Sequence, residues 1–295
     1  MVEHSPDKTG VGGSIPPWPT PGAHSSVVER FVDIEEVGGS IPPAPTENKI
    51  DFHSIAHKSN MKIIYEDTDM LAINKPAGLL VHHTSKGEEE EALTDWLIKK
   101  YPEISEVGDD PEKRPGIVHR LDKDTSGIMV IAKNQKTFEY LKTQFQGREI
   151  EKTYLAIVFG SPKKDAGKIE GTISLKPGTT KRTVHRGKMP KEAVTEYKVI
   201  ERFENAALLE VYPKTGRTHQ VRVHLASINH PIFGDTLYNS KTSKKVFIPK
   251  LDRQMLHAYK MVLTLERGKR ITLEAEAPDD FKAVLQYLRK TPKLQ

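Results

Sequence analysis

The chain has 295 residues, 36% of them hydrophobic and 29% charged, a composition typical of a protein that folds around a buried core. No apolar run approaches the ~18 residues that a membrane-spanning helix needs. The N-terminus also lacks the layout of a signal peptide, so we expect a cytoplasmic protein without membrane contact. Because the sequence contains no cysteine, disulfides, thiolate nucleophiles and cysteine-based zinc sites are excluded.

Positive charge is concentrated after residue 60. Residues 1–60 carry four basic and eight acidic side chains, which leaves 41 basic and 32 acidic side chains, a net charge of +9, in residues 61–295. Such a surplus favours a polyanionic partner, because fixed cations bind phosphates and release counterions. Charge alone does not separate this hypothesis from a basic protein that has no such partner.

The first 60 residues differ from the rest in composition. Val11–Pro17 recurs after 26 residues as Val37–Pro43, and two polar copies are too few to build a stacked repeat core. Dense Gly and Pro are typical of a disordered tail. The repeated Gly-Gly-Ser-Ile-Pro also resembles the translated T-arm of a tRNA gene, which would make this extension non-native and Met61 the true start. We therefore exclude residues 1–60 and expect one domain over residues 61–295.

Hydrophobic patterns predict both strands and helices after residue 60. In chain order, strands are predicted at 62–66, 70–73, 79–82, 116–119, 127–132, 153–158, 191–200 and 207–212. Helices are predicted where apolar residues recur every three or four positions, at 93–101, 138–147, 218–228 and from 278 onward. Because strand and helix do not alternate regularly, we predict an α+β fold: a largely antiparallel mixed β-sheet with flanking helices and a central cleft.

Two polar segments carry most of the residue types that perform chemistry. His119–Gly127 places two carboxylates, two cations and two hydroxyls between predicted strands. Polar loops held by rigid strands are common positions for catalytic groups, although most charged runs of this kind are surface turns. The second segment, Lys214–His224, contains few residues suited to packing, and its presence favours a functional role for both.

Five segments together resemble the RluA-type pseudouridine synthase family. They occur in that family's order and span about 62–285: IYEDTDMLAINKPAGLLVH (64–82), GIVHRLDKDTSGIMVIAK (116–133), KTYLAIVFG (152–160), KTGRTHQVRVHLASINHPIFGDTLY (214–238) and LHAY (256–259). The resemblance implies a pseudouridine synthase fold and an enzyme that isomerises uridines in structured ribosomal or transfer RNA. It further implies that the target base is flipped out of the RNA before reaction.

The resemblance implies roles for four residues. Asp122 is the expected nucleophile, Arg222 its ion-pair partner and Tyr154 the ring beside the target base, while Arg120 fills the stack left by the flipped uridine. In a chain without cysteine, a carboxylate is a natural nucleophile, and an arginine partner compensates its charge in a dry pocket. Whether the carboxylate attacks the ring or the sugar stays open.

Neighbouring polar residues have alternative interpretations. Asp124 is a rival nucleophile, but we favour a loop-capping role for it. His119 is predicted to be structural, with a hydrogen bond inside the loop. Arg217 and His219 either contact RNA phosphate or hold the active-site loop. Asn74–Pro76 is predicted to brace the cleft.

Two basic segments are candidates for RNA contact. Residues 176–191 contain no acidic side chain before Glu192, which favours a flexible basic loop that binds RNA, with a solvated hairpin tip as the alternative. The candidate RNA-binding residues in it are Lys181, Arg182 and Arg186. The second segment comprises Lys241, Lys244, Lys245, Lys250 and Arg253.

Other functions fit parts of the sequence. A metal hydrolase is disfavoured because His219 and His224 are five residues apart and do not share a helical face. A serine hydrolase at Ser126 lacks the Gly-x-Ser-x-Gly elbow. An RNA-binding protein without catalysis is the third alternative, although all three candidate catalytic residues are present. RNA is the expected partner, no cofactor or metal is expected, and we expect a monomer.

Overall fold

β-Strands dominate the part of the chain that the computed structural model describes, namely residues 61–83, 90–179, 181–185, 187–239 and 251–290. Predictions for several residues lie outside these ranges and are not tested by the structure. They concern the N-terminal extension 1–60, Arg186, Lys241, Lys244, Lys245 and Lys250.

The described residues form strands and helices in the following bounds. The strands are β1 (Lys62–Glu66), β2 (Met70–Lys75), β3 (Ser126–Ala132), β4 (Glu151–Phe159), β5 (Ala166–Leu175), β6 (Arg182–Thr183), β7 (Lys188–Arg202), β8 (Ala206–Pro213), β9 (Leu256–Thr264) and β10 (Arg270–Glu274). The α-helices are α1 (Leu93–Lys100), α2 (Gln135–Gly147), α3 (Gln220–Ser227) and α4 (Asp279–Lys290). A short 3-10 helix, Pro102–Glu106, follows α1.

These strands make one sheet in the order β1-β2-β3-β9-β4-β8-β7-β5-β6, with β10 paired to β9. Among the described strands, every pairing is antiparallel except that between β3 and β9. The sheet and its helices confirm the predicted α+β class on a largely antiparallel mixed sheet.

The parallel pair lies near the middle of the sheet and brings two distant parts of the chain together. Ser126 pairs with His257, and Gly127 pairs with Ala258. Gly127 has φ 119°, and a Cβ there would lie 2.3 Å from the Ala258 carbonyl oxygen, so only glycine allows this close approach. Because β9 pairs with both β3 and β4, it holds the loop before β3 close to the start of β4.

The main hydrophobic core packs one side of this sheet against α1 and α2. All seven residues of β3 are buried, which is expected of a central strand covered on both faces. Leu93 and Leu97 of α1, and Phe138 and Leu141 of α2, belong to the same core. Helix α2 begins at Gln135, before the predicted range 138–147, because the Asn134 side chain accepts a hydrogen bond from the Thr137 N–H, 2.9 Å away.

Several predicted elements differ from the structure. Residues 79–82 and 116–119 each form only a single bridge, Leu80 to Ala92 and Ile117 to Ile131, rather than strands. Strands β5, β6, β9 and β10 were not predicted. In β5, polar residues and two glycines obscure the apolar alternation, and the pairing with β7 stabilises the strand instead.

Candidate active site

An ion pair joins the two polar segments across the cleft. Arg222 Nη1, on α3, donates a hydrogen bond to Asp122 Oδ2, in the loop before β3, at 2.9 Å. The Asp122 side chain is 21% exposed and that of Arg222 only 7%. The carboxylate is therefore open to a ligand on one side while the guanidinium is enclosed, which is the arrangement expected of a nucleophile and its partner.

A second, hidden carboxylate orients Arg222. Asp235 is completely buried and accepts from Arg222 Nε at 2.7 Å and from Nη2 at 3.0 Å. Burial by itself lowers the pKa of Arg222, but the hydrogen bonds and charge of Asp235, and then those of Asp122, raise it above the ordinary value. The guanidinium is thus permanently charged, and its two-point contact with Asp235 determines which nitrogen reaches Asp122.

Tyr238 and His219 complete this cluster. Asp235 Oδ1 also accepts from the backbone N–H groups of Leu237 and Tyr238, at 3.0 and 3.1 Å, which defines the turn after it. The Tyr238 ring lies 5.3 Å from the Arg222 guanidinium carbon. His219 Nδ1 is 2.9 Å from the Tyr238 hydroxyl, and His219 Nε2 is 3.9 Å from Asp122 Oδ1.

Tyr154 contributes the aromatic wall of the site. It lies near the start of β4 and lines, together with Asp122, a cleft of about 620 Å³. Burial, and then the charge of Asp122, raise the pKa of the Tyr154 phenol above its ordinary value. Its hydroxyl therefore stays protonated at physiological pH, beside an ionisable carboxylate.

The buried side chain of Lys75 holds the loop that contains Asp122. Lys75 is completely buried, and its Nζ donates to the carbonyls of Pro76, Leu79 and Lys123 at 2.7, 2.9 and 2.9 Å. Burial lowers the Lys75 pKa to about 7. Lys75 connects its own loop to the residue that follows Asp122, which is the bracing contact expected of Asn74–Pro76.

The neighbours of Asp122 have structural contacts. His119 Nε2 accepts from the Val130 N–H at 2.9 Å, on β3 rather than inside the loop as predicted, and the His119 ring stacks on Phe145. Burial, and then the charge of Lys152, lower the His119 pKa to about 3, so this ring is neutral. Asp124 contributes its carbonyl, which accepts from Arg253 Nη1 at 3.3 Å.

The second polar segment is anchored by Gln220 at the start of α3. Its amide donates to Val194 O at 2.9 Å and Thr195 Oγ1 at 3.0 Å, both on β7. Its Oε1 accepts from the Thr215 hydroxyl at 2.7 Å and from the Arg217 N–H at 3.0 Å. These contacts position α3 and therefore Arg222 above the sheet.

Cationic side chains surround the cleft. Eight Lys and Arg residues line it against three Asp: Arg114, Arg120, Lys142, Arg148, Lys152, Lys214, Arg217 and Arg222, with Asp109, Asp110 and Asp122. Arg120 is exposed at the cleft, next to Leu121. Arg217 Nε donates to the Glu192 carbonyl at 3.1 Å, so one side of its guanidinium already holds the loop to β7. The cleft as a whole fits an anionic polymer.

The remaining candidates for RNA contact that the structure describes lie outside the cleft, on a hairpin or in the interior. Lys181 Nζ donates to the Leu237 carbonyl at 3.2 Å, and the Arg182 N–H donates to the Tyr238 hydroxyl at 2.8 Å. Both lie on the β5–β7 hairpin beside the Asp235 turn rather than among the residues that line the cleft. Arg253 is buried and paired with Asp280 through bonds of 2.6 and 2.8 Å, so its interpretation as an RNA contact was wrong.

Three functional candidates were missed by the sequence reasoning. Asp235 and Tyr238 lie in a quoted motif, but a single Asp followed by Thr-Leu-Tyr resembles an ordinary turn. Lys152 is two residues before Tyr154, and side chains at that spacing share a strand face, which was an available signal. It lines the cleft, with its Nζ 5.9 Å from the centre of the Phe145 ring.

The contacts of His224 and Ser126 disfavour the metal hydrolase and the serine hydrolase. His224 Nδ1 lies 2.9 Å from Thr195 Oγ1 in the protein interior, away from Asp122. Ser126 contacts the buried His257, whose Nε2 donates to the Ala275 carbonyl. Within the described ranges, no three His, Asp or Glu side chains are grouped as metal ligands. Of the helices in those ranges, none combines the length and apolar character needed to cross a bilayer.

Sequence comparisons identify relatives that match most of this chain. The profile of a family described as RNA pseudouridylate synthase matches residues 69–227. An uncharacterised RNA pseudouridine synthase of Aquifex aeolicus (strain VF5) is 41% identical over 239 residues, which cover 78% of this chain and 73% of that protein. The ribosomal large subunit pseudouridine synthase D of Haemophilus ducreyi is 40% identical over 243 residues, covering 78% and 71%.

Solved structures agree. The human RNA pseudouridylate synthase domain containing 4 protein superposes with a TM-score of 0.60 at 28% identity, covering 81% of this chain and 95% of its own. The cleft, the paired carboxylate and the profile match lead to one conclusion. The chain belongs to the RNA pseudouridine synthase family, the isomerases that convert uridine in RNA to pseudouridine.

Proposed function

We propose that this enzyme isomerises a uridine of the large ribosomal subunit RNA, with Asp122 as its nucleophile. One observation carries the assignment of the nucleophile: the Asp122 carboxylate is 2.9 Å from the enclosed Arg222 guanidinium and opens into the cleft that Tyr154 lines. The RNA class is inferred from the relatives of this chain that are named ribosomal large subunit pseudouridine synthase D.

The chemistry of the isomerisation matches these residues. The bond between ribose C1′ and the base N1 breaks, the freed uracil turns, and C1′ bonds to C5. The proton lost from C5 is balanced by one gained at N1. Asp122 bonds transiently either to ribose C1′, as N1 leaves, or to the uracil ring, and in both cases this bond is broken again once C1′ is joined to C5. Arg222 stabilises the charge of the free carboxylate, and the Tyr154 ring holds the uracil while it turns.

Flipping the target base requires contacts on the RNA that remains behind. We assign Arg120, exposed at the cleft, to the gap left in the base stack, because a guanidinium plane can stack on neighbouring bases. Arg217 and His219 contact the flipped nucleotide from the α3 side. We assign Lys181 and Arg182, on the hairpin, to further RNA contact. For Arg186, which lies outside the described residues, the same role stays a proposal from the sequence.

We further assign catalysis to one domain over residues 61–295, active as a cytoplasmic monomer. The first strand and the last helix described in this range both belong to the same fold. Strand β1 pairs with β2, and Asp280 of α4 binds Arg253. Light scattering of the purified protein in the presence of RNA tests the monomer.

Pseudouridine mapping of total RNA tests the function directly. Cells that lack the gene are complemented with wild type, Asp122→Asn or Asp165→Asn. Asp165 serves as the matched control because it is exposed and pairs with Arg202 on the far strands. We expect one or a few large-subunit sites to vanish in the deletion and to return with wild type and Asp165→Asn only. If only sites in transfer RNA vanish, the assignment of ribosomal RNA as the substrate is wrong. If Asp122→Asn restores the sites, the assignment of Asp122 as the nucleophile is wrong.

A further inference from the structure

The Tyr238 hydroxyl makes two polar contacts at the edge of the active site. It accepts a hydrogen bond from the backbone N–H of Arg182 at 2.8 Å. It also lies 2.9 Å from His219 Nδ1. The Tyr238 and His219 rings meet edge to face, with their centres 5.7 Å apart, so this contact has a defined geometry.

The protons in this cluster determine the form of His219. A backbone N–H can only donate, so the bond from Arg182 leaves the phenolic proton of Tyr238 available to donate elsewhere. His219 Nδ1 is the acceptor within reach. An imidazole that accepts at Nδ1 carries its own proton at Nε2 when it is neutral. Burial, only partly opposed by Asp122, lowers the pKa of His219, which supports the neutral ring.

His219 Nε2 faces the oxygen of Asp122 that Arg222 does not hold. Arg222 Nη1 bonds Oδ2 at 2.9 Å, whereas His219 Nε2 lies 3.9 Å from Oδ1. The gap is longer than a hydrogen bond, but contacts of this kind often shorten when the substrate completes the site. The αL backbone of His219, with φ 56°, directs its ring from the start of α3.

We propose that Tyr238 is a positioning residue that keeps His219 in the Nε2–H tautomer, so that His219 presents an N–H to the second oxygen of Asp122. The carboxylate is then oriented by two donors, Arg222 on one oxygen and His219 on the other. This inference rests on the proposed role of Asp122 as nucleophile, because a fixed orientation matters most for the group that attacks.

Nitrogen-15 NMR of the full chain measures the tautomer without any reaction. The ring signals of His219 are assigned by their loss in His219→Asn, a substitution suited to the αL backbone. In wild type we expect a protonated Nε2 and an unprotonated Nδ1. In Tyr238→Phe, which keeps the ring beside Arg222 and removes only the hydroxyl, we expect a mixture of both tautomers. A wild-type ring protonated at Nδ1, or an unchanged tautomer in Tyr238→Phe, would overturn the proposal.

Kinetics then test the effect on Asp122. We expect Tyr238→Phe to lower kcat by roughly 3- to 10-fold with little change in KM, the loss of about one hydrogen bond. Tyr212→Phe, which removes a hydroxyl bound to Glu210 on β8, is the matched control and leaves tautomer and kcat unchanged. A shifted tautomer with wild-type kcat would overturn the orienting role. Activity in Asp122→Asn would instead overturn the proposed function, while the NMR result stands by itself.

Discussion

Asp235 has no exposed surface, yet it holds the arginine that contacts the partly exposed Asp122. Its two oxygens accept from Arg222 at 2.7 and 3.0 Å and from two backbone N–H groups of the following turn. A buried carboxylate with this many donors stabilises the fold and also sets the direction in which Arg222 reaches Asp122.

We therefore expect Asp235→Ala to affect both stability and catalysis. Removing one partner of a buried pair leaves the Arg222 charge incompletely compensated, and the free energy of unfolding should fall by about 3–5 kcal/mol. Urea denaturation measures this loss, and kcat of the folded fraction should fall with it. Asp165→Ala, at an exposed pair, should cost less than about 1 kcal/mol. Equal losses of stability in the two variants would contradict the stabilising role of Asp235, and an unchanged kcat in Asp235→Ala would contradict its orienting role.

Tyr154→Phe separates the ring of this residue from its hydroxyl. The phenol is protonated because burial and Asp122 raise its pKa. It can therefore take the proton from C5 of the base only in a relay, in which its own proton passes to the Asp122 carboxylate once that group is released. We expect kcat to fall by about 100-fold or more, the usual size of a lost proton-transfer group, with little change in KM. Release of tritium from RNA labelled at uridine C5 measures the rate. Wild-type release by Tyr154→Phe would limit this residue to stacking.

Lys152 should bind the RNA backbone. It is half-buried on the cleft wall, burial lowers its pKa, and within the described residues no carboxylate lies within 4 Å of its Nζ. A desolvated cation without an acidic partner favours a phosphate. We expect Lys152→Ala to raise the Kd for RNA and to reduce the slope of log Kd against log salt by about one.

A matched lysine controls this measurement. Lys168 is exposed on β5 and paired with Glu170, so Lys168→Ala should change neither the Kd nor the salt slope. If Lys152→Ala lowers affinity equally at every salt concentration, Lys152 acts by packing rather than through a phosphate.

Buried histidines should make the fold sensitive to acid. Burial lowers the pKa of both His224 and His257 to about 4, whereas an unfolded histidine titrates near 6.5. Between these values the unfolded chain binds protons that the folded chain does not, so stability falls as the pH drops from 6.5 towards 4. The limit is about 1.4 kcal/mol per pH unit for each histidine.

Urea denaturation at pH 7, 6 and 5 measures that slope. His257→Gln should reduce the slope by the contribution of one histidine. The substitution removes a ring that, between pH 6.5 and 4, is neutral in the folded chain and protonated in the unfolded chain. His185→Gln should not, because His185 is exposed on the hairpin and its ring meets water in both states. A slope that His257→Gln leaves intact would contradict this account.

The pairing of Asp122 with Arg222 could be predicted because both residues lie in segments that resemble motifs of the pseudouridine synthase family. Asp122 and Arg222 each lie in a polar segment that a packing role explains poorly, and the strands next to these segments, β3 and β8, have clear apolar patterns. Their roles in the reaction stay predictions until the variants are measured.

The supporting charges could not be predicted, because whether a charged residue is buried depends on a distant partner. Lys75 ends a strand and Arg253 follows a lysine-rich segment, so both resemble surface residues. Lys75 is enclosed by three carbonyls, and Arg253 by Asp280, 27 residues later. Local composition contains no information about such pairs.

The position of β9 also has a consequence for how the enzyme is made. Asp122 and Tyr154 are synthesised well before the strand that joins their neighbourhoods, Leu256–Thr264. Until it inserts between β3 and β4, the two halves of the sheet share no edge. A nascent chain therefore cannot assemble the cleft before Leu256–Thr264 has left the ribosome, so the enzyme cannot act on RNA while that strand is still being made.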